Sequence, residues 1–356
     1  MINRIGLGFA VMLQCLAASE GGTAGGGTAG EPRIPEHYGD IPERFACYSV
    51  VLKPEVEREE WWAGAPSVVL DSLGTFWMAC RMRTADAPRG LRGYELRLLR
   101  SRDGVIFETV RRIRREQVPI PGFERPALLF DPVSNAFKLY GCGPWNGGPW
   151  CVIKFDDFED PAQFDPSTAR PVIEPPEKSW EREIIVSEIK DPVIFYARDF
   201  YHAYVIGYLR RNERIYHYTS ADGETWQPAD EPNRSLLPLA GWHDFFVRPA
   251  GILPVGTGYL FFYEGSSTSW YDPVYNVVTG LAFTFDLHSL IDLTPDSPLL
   301  VSRTPGQFAT WRYSHWMWVD GQIWVYAEVA TPKGTHEIRL YRIAPENLGR
   351  QHWRRF

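Results

Sequence analysis

One pattern recurs five times along this chain and limits what it can fold into. A short polar segment ends in proline, a hydrophobic run follows, then a turn, then a second run rich in aromatic residues. The first copy leads from Ala65-Pro66 through Val68, Val69 and Leu70 to Phe76, Trp77 and Met78. The second leads from Arg125-Pro126 to Phe137 and Tyr140, the third from Asp191-Pro192 to Tyr201 and Tyr204, and the fourth from Arg248-Pro249 to Phe261, Phe262 and Tyr263. The fifth carries His315 where the others carry proline, and continues through Trp316 and Trp318 to Trp324 and Tyr326. Successive copies are 60, 66, 57 and 66 residues apart. A near-constant period of this size marks a stacked or radial repeat architecture.

Most copies continue with a third run, as in Tyr94–Leu99, Arg214–Tyr218, Thr279–Thr284 and His336–Tyr341. Two of these end in matching turns, Ser101 to Asp103-Gly104 and Ser220 to Asp222-Gly223, each followed by an aromatic residue that opens a fourth run. Asp-Gly supplies the positive φ that a tight reversal requires. Four strands per unit of about sixty residues predict an all-β, five-bladed β-propeller with four antiparallel strands per blade. Residues 45–54 precede the first copy and are expected to supply the outer strand of the last blade, closing the ring. A sandwich would not repeat one four-strand pattern five times, and no long amphipathic helix is present.

Composition agrees. Of 356 residues 44% are hydrophobic, with 14 Trp, 17 Tyr and 20 Phe, while 31 Gly and 29 Pro punctuate the chain. Aromatic-rich, turn-rich sequences of short apolar runs read as β structure. The net charge is −7 and the densest basic run, Arg111 to Arg115, alternates like a solvated strand edge, which argues against a nucleic-acid partner. Residues 1–30 differ from the rest: Arg4, an apolar run from Ile5 to Leu13, small residues at Ala17 and Ala18, then a Gly/Thr-rich stretch. They read as a secretory leader and flexible tether before a single domain at 31–356, and predict export to the periplasm or cell exterior. Cys15 stands where a lipid-anchored protein carries its modified cysteine, though Gln14 before it fits poorly. Apart from such an anchor, no run is long and apolar enough to suggest a membrane partner. Cys142 and Cys151 flank a turn that a hairpin would close, leaving both a disulfide and two free thiols open, and the cysteine spacings match no zinc pattern. No metal and no cofactor are expected.

In a propeller the first residues of the innermost strands emerge at one mouth of the central channel. Glu124-Arg125, Lys190-Asp191, His243-Asp244 with Arg248, and Arg312 to Ser314 are polar or charged, yet they open strongly apolar strands. The second strands return Arg81, Cys142, Glu264 and Glu328 to the same mouth. Glu264 follows five apolar residues and precedes a Gly/Ser loop, a setting that raises a carboxyl pKa as a general acid needs. A structural ring of ion pairs is the competing explanation for these charges.

Five blades, an Asp-Pro opening an inner strand and Ser-x-Asp-Gly-x-x-aromatic turns resemble the five-bladed glycosidases, glycoside hydrolase families 43, 32, 68 and 130. Lys190-Asp191-Pro192 resembles their Asp-Pro signature, and Phe262 to Gly265 with Thr279 to Thr284 is similar to the later blades of family 130. The resemblance spans about residues 45–345 and implies a carbohydrate-active enzyme cleaving glycosidic bonds, with Asp191 stabilising the transition state or tuning the acid. The chain departs from families 43 and 32 at Ala65, where they carry a catalytic aspartate. Such cleavage needs two carboxyl groups, or one plus an activated nucleophile. Asp191 and Glu124 are therefore the expected central pair, with Glu264 or Asp244 as alternative acid. Arg125, Lys190, His243, Arg248, Arg81, Arg312 and His315 are expected to hold an oligo- or polysaccharide, and Trp62 and Trp242 to stack on sugar faces. A phosphorylase of similar fold and a non-catalytic carbohydrate-binding propeller are the alternatives, followed by a lyase using His243, Tyr313 and His315.

Overall fold

The computed structural model describes residues 42–131, 134–176, 186–209, 211–230 and 234–344, so the expected leader and tether lie outside the described residues. The fold is all-β, with only short 3-10 turns as helix. After β1 (Ser49–Leu52) come five antiparallel meanders. The first is β2 (Trp62–Leu70), β3 (Phe76–Arg83), β4 (Gly93–Ser101) and β5 (Glu108–Arg114). The second is β6 (Ala127–Asp131), β7 (Ala136–Pro144), β8 (Trp150–Lys154) and β9 (Arg170–Ile173). The third is β10 (Ile189–Ala197), β11 (Phe200–Leu209), β12 (Asn212–Ser220) and β13 (Gln227–Pro228). The fourth is β14 (Phe246–Val255), β15 (Gly258–Ser266), β16 (Val278–Thr284) and β17 (Ile291–Asp292). The fifth is β18 (Trp311–Val319), β19 (Gln322–Ala330) and β20 (His336–Ile343), and β1 pairs antiparallel with β20 as its fourth strand. The first strands touch in a cycle: β2 against β6, β6 against β10, β10 against β14, β14 against β18, and β18 against β2.

Alternation along the strands explains the apolar runs. In β6, Leu128 packs toward the first meander with Trp77, Leu96 and Ile153, while Ala127 and Leu129 pack toward the third with Val205 and Tyr216. Further clusters lie between the third and fourth meanders (Tyr204, Ile215, Phe261), the fourth and fifth (Phe262, Trp316, Val325) and the fifth and first (Met78, Tyr326, Ile338). Every sheet therefore buries both faces, and its inner strands need apolar residues at consecutive positions. A polar clasp repeats at three of these boundaries. Tyr326 donates to the Gly104 carbonyl at 2.8 Å, Tyr140 to that of Gly223 at 2.7 Å, and Tyr204 to that of Leu287 at 2.5 Å. Gly104 and Gly223 sit at φ +68° and +75°, and a Cβ there would fall 2.8 Å from the tyrosine oxygen that grips the turn. Both the dihedral and the clasp thus exclude a side chain.

Three of the first strands share one irregularity that shapes the site. In β2, β10 and β18 one extra residue enters the pairing, between Gly64 and Ser67, Lys190 and Val193, and Arg312 and His315. At each bulge one non-glycine residue turns left-handed: Ala65 at φ 52°, Asp191 at 53° and Tyr313 at 50°. This pattern corrects the reading of the fifth repeat. Ser314, following left-handed Tyr313, occupies the place of Pro66 and Pro192, and His315 is one residue further along. A one-residue slip on a pleated strand reverses the side chain's direction. His315 accordingly lines the cavity enclosed by the five first strands, with Val68, Leu128 and Trp316 and alongside Arg125.

Candidate active site

The left-handed turns aim three backbone N–H groups at the preceding meander. Ala65 donates to Glu328 Oε2 at 3.0 Å, Tyr313 to Glu264 Oε1, and Asp191 to the Cys142 sulfur at 3.2 Å. The two remaining boundaries are bridged by ion pairs, Arg81 to Glu124 and Glu213 to Arg248. The polar residues at the strand ends thus form a continuous circuit, each meander holding the next. Non-glycine residues in this conformation cost roughly 1–3 kcal/mol each and persist where their surroundings over-determine them.

Two strands cross the circuit. The Tyr313 hydroxyl donates to Asp191 Oδ2 at 2.9 Å, while Asp191 Oδ1 accepts the Arg125 N–H at 3.1 Å. Tyr313 thereby holds Asp191 at its hydroxyl and Glu264 at its amide. Arg125 reaches to the Pro249 carbonyl at 3.0 Å and the Ala250 carbonyl at 2.6 Å, so most of its fork is spent on protein backbone. Lys190 meets Glu213 at 2.6 Å, and Arg312 meets Glu328 at 2.9 Å. The side chains of Glu124 and Lys190, 12% and 19% exposed, are where this otherwise buried cluster meets solvent.

The carboxyl groups fall into opposite electrostatic settings. Burial would raise Asp191, but the charges of Lys190 and Arg248 and the Arg125 N–H outweigh it and hold the carboxyl below its ordinary range. Glu328, gripped by Arg312, Arg81 and His336, is likewise held low against its burial. Glu264 goes the other way. Burial pushes it up to about 7, only partly opposed by Arg125, Arg248 and Arg312. Its Oε2 is buried without a hydrogen-bond partner, because the arginine opposite it across the strand pair, Arg248, turns to Glu213 instead. Glu328 is a charge-locking group. Glu328→Ala should leave Arg312 uncompensated and Arg81 with Glu124 alone, and lower stability by about 3–5 kcal/mol, measured by denaturant unfolding; a loss under about 1 kcal/mol would show that the cluster is not anchored there.

The structure brings Glu124, Arg125, Lys190, Asp191, Arg248, Glu264, Arg81 and Arg312 into one connected cluster. Others are placed apart. Trp62 is fully buried, stacked on His336 at 3.8 Å with Arg83 over its ring at 4.0 Å, so it packs the core instead of meeting a sugar face. Trp242 is buried against Tyr263 and Trp270 and donates to the Thr294 carbonyl at 2.7 Å. His243 faces Asp292 at 3.3 Å, and Asp244 caps Thr268 at the surface. Cys142 and Cys151 are both free thiols, and Cys142 is committed to Asp191. Glu213 joins this cluster from the start of a third strand, where no proline marks the position. Among the described residues no group of three or more His, Cys, Asp or Glu side chains could hold a metal ion, and no helix is long and apolar enough to cross a membrane.

No protein-family model matches the chain by sequence, and no curated protein does. Solved structures do match its fold. A glycosyl hydrolase from Bacteroides ovatus superposes with a TM-score of 0.63 at 14% identity, covering 89% of this chain and 94% of its own. Beta-1,2-mannobiose phosphorylase from Listeria innocua, in complex with beta-1,2-mannobiose, gives 0.60 at 14% identity, over 84% and 95%. A thermostable family-43 glycoside hydrolase gives 0.54 at 12% identity, over 79% and 88%. The chain therefore has the β-propeller-like fold of glycosidases and glycoside phosphorylases, as its repeats and its Asp-Pro signature imply.

Proposed function

We propose that this protein is a glycoside hydrolase whose active site lies where the five meanders converge, as blades of a closed five-bladed propeller completed by β1. One observation carries the chemistry: Asp191 and Glu264 are tied to opposite ends of Tyr313 and are driven to opposite protonation states. Titratable groups pushed apart by their surroundings make an acid and its anionic partner. Glu264, protonated near neutrality, is the proton donor to the departing glycosidic oxygen. Asp191, anionic between Lys190 and Arg248, stabilises positive charge developing on the sugar ring or activates the attacking water. Glu124, bound by Arg81, borders the site and orients sugar hydroxyls. The fold neighbours support a glycoside as substrate, and the apolar run from Ile5 to Leu13 supports an oligo- or polysaccharide met outside the cytoplasm.

The test is a panel of aryl glycosides and plant and microbial polysaccharides, each with and without phosphate. Reducing sugar released without phosphate supports hydrolysis. A sugar phosphate formed only with phosphate replaces it with phosphorolysis, and an unsaturated product would make the protein a lyase. Tight sugar binding with no turnover would reduce it to a binding propeller.

A further inference from the structure

Outside the carboxylate cluster lies a cleft of about 640 Å³, within the range of small-molecule sites. It lies between the outer edge of the fifth meander and the connection from β17 to β18. Alternation along β18 sets its relation to the active site: Arg312 turns to the carboxylates, and its neighbour Trp311 turns to the cleft. The floor is aromatic. Phe45 lies edge-on to Trp311 at 5.7 Å and beside Tyr341 at 5.3 Å, and Tyr48 packs on Tyr341 at 5.8 Å. Ser302, Thr304, Thr331 and Thr335 line the walls, the Thr331 and Thr335 hydroxyls 2.7 Å apart and Thr304 Oγ1 accepting from Arg339 at 2.8 Å.

The rim is unbalanced in charge. Lys333 is paired with Glu57, and Arg339 with Glu337 at 2.8 Å while it also covers the Tyr48 ring at 4.1 Å. Lys53 and Arg303 add two cations, and no carboxylate lies within ion-pair distance of either among the described residues. We infer that this cleft is a second saccharide site, selective for an acidic oligosaccharide, with a sugar face on Phe45 and its carboxylates on Lys53 and Arg303. Sugar rings present apolar faces and hydroxyl edges, which suit an aromatic floor between hydroxyl-bearing walls. The unpaired cations select carboxylates. An acidic peptide fits less well: it would need main-chain partners, and Pro54, Pro305 and Pro332 in the lining have no N–H to give. The inference rests on the proposed function for the saccharide class, yet it needs no turnover.

Calorimetric titration with tetramers of galacturonic acid and of mannuronic acid tests it on the full chain. The wild type should bind at least one of them saturably. Lys53→Ala/Arg303→Ala should bind at least ten-fold more weakly, as should the carboxyl-reduced tetramer on the wild type. Asp191→Asn, which removes the proposed catalytic charge, should bind as the wild type does. Absence of saturable binding to both tetramers, or unchanged affinity in the double variant, would overturn the inference. So would loss of binding in Asp191→Asn with retention in the double variant, which would place the ligand at the carboxylates, or equal affinity for hexaglutamate. Turnover by Asp191→Asn is a separate readout, so the proposed catalysis and the second site can fail independently.

Discussion

Asp191→Asn lowers kcat by about 10³-fold or more while the protein remains folded. The substitution changes almost no volume, and one side-chain oxygen can still accept from the Arg125 N–H or the Tyr313 hydroxyl. What it removes is the negative charge that Lys190 and Arg248 stabilise. If that charge opposes a cationic transition state, its loss falls on kcat far more than on KM. Tyr313→Phe is the control. It deletes one 2.9 Å hydrogen bond to Asp191 and keeps the charge, so it should cost only about ten- to a hundred-fold. Steady-state kinetics on a substrate found in the panel, with circular dichroism to verify folding, measures both. Near-normal turnover in Asp191→Asn would remove that residue from the chemistry and return the cluster to a purely structural ring.

The repeat was legible because each first strand must do two things at once. It opens with polar residues at the convergence point and continues with residues buried on both faces, so the polar-to-apolar step recurs with the period of the fold. The circuit of Glu124, Asp191, Arg248, Glu264 and Glu328 follows from that step. Its partners do not. Whether Arg248 answers Glu264 or Glu213 depends on a bulge that falls one residue later in β14, between Pro249 and Gly251, than in its counterparts. Trp62 reads as a sugar platform because it opens an inner strand, yet its backbone pairs in parallel with His336 and its ring is sealed beneath Arg83 and Arg312. Tyr313 shows the same limit. Its role depends on a left-handed φ, and nothing in Arg312-Tyr313-Ser314 announces one without proline or glycine to mark it.

Glu264→Gln should abolish the acid-dependent step and at the same time stabilise the protein at alkaline pH. Glu264 is raised from 4.5 to about 7 by burial, so the folded protein holds a proton that the unfolded chain releases. The sign follows by linkage. The stability tied to this proton is complete below pH 4.5, and it is lost as pH rises through about 7, reaching a deficit of about 3 kcal/mol. Gln keeps an oxygen for the Tyr313 N–H and never ionises. At pH 8 the variant should therefore be more stable than the wild type by up to about 3 kcal/mol, and at pH 4.5 the two should agree within about 1 kcal/mol. Turnover should show the reverse. The wild type should lose about ten-fold per pH unit above pH 7 as the donor deprotonates. Below pH 7 the variant should be at least about 10²-fold slower, with no alkaline limb near 7, so the gap between the two narrows as pH rises toward 9. Urea unfolding and kcat measured across pH 4.5 to 9 provide both curves. A wild type whose stability and kcat ignore pH 7 would mean that Glu264 is already ionised beside its three arginines and cannot be the acid. Gain of stability together with loss of turnover would identify Glu264 as the residue from which the proton leaves, since a group that only braces the ring would gain the same stability and leave turnover unchanged.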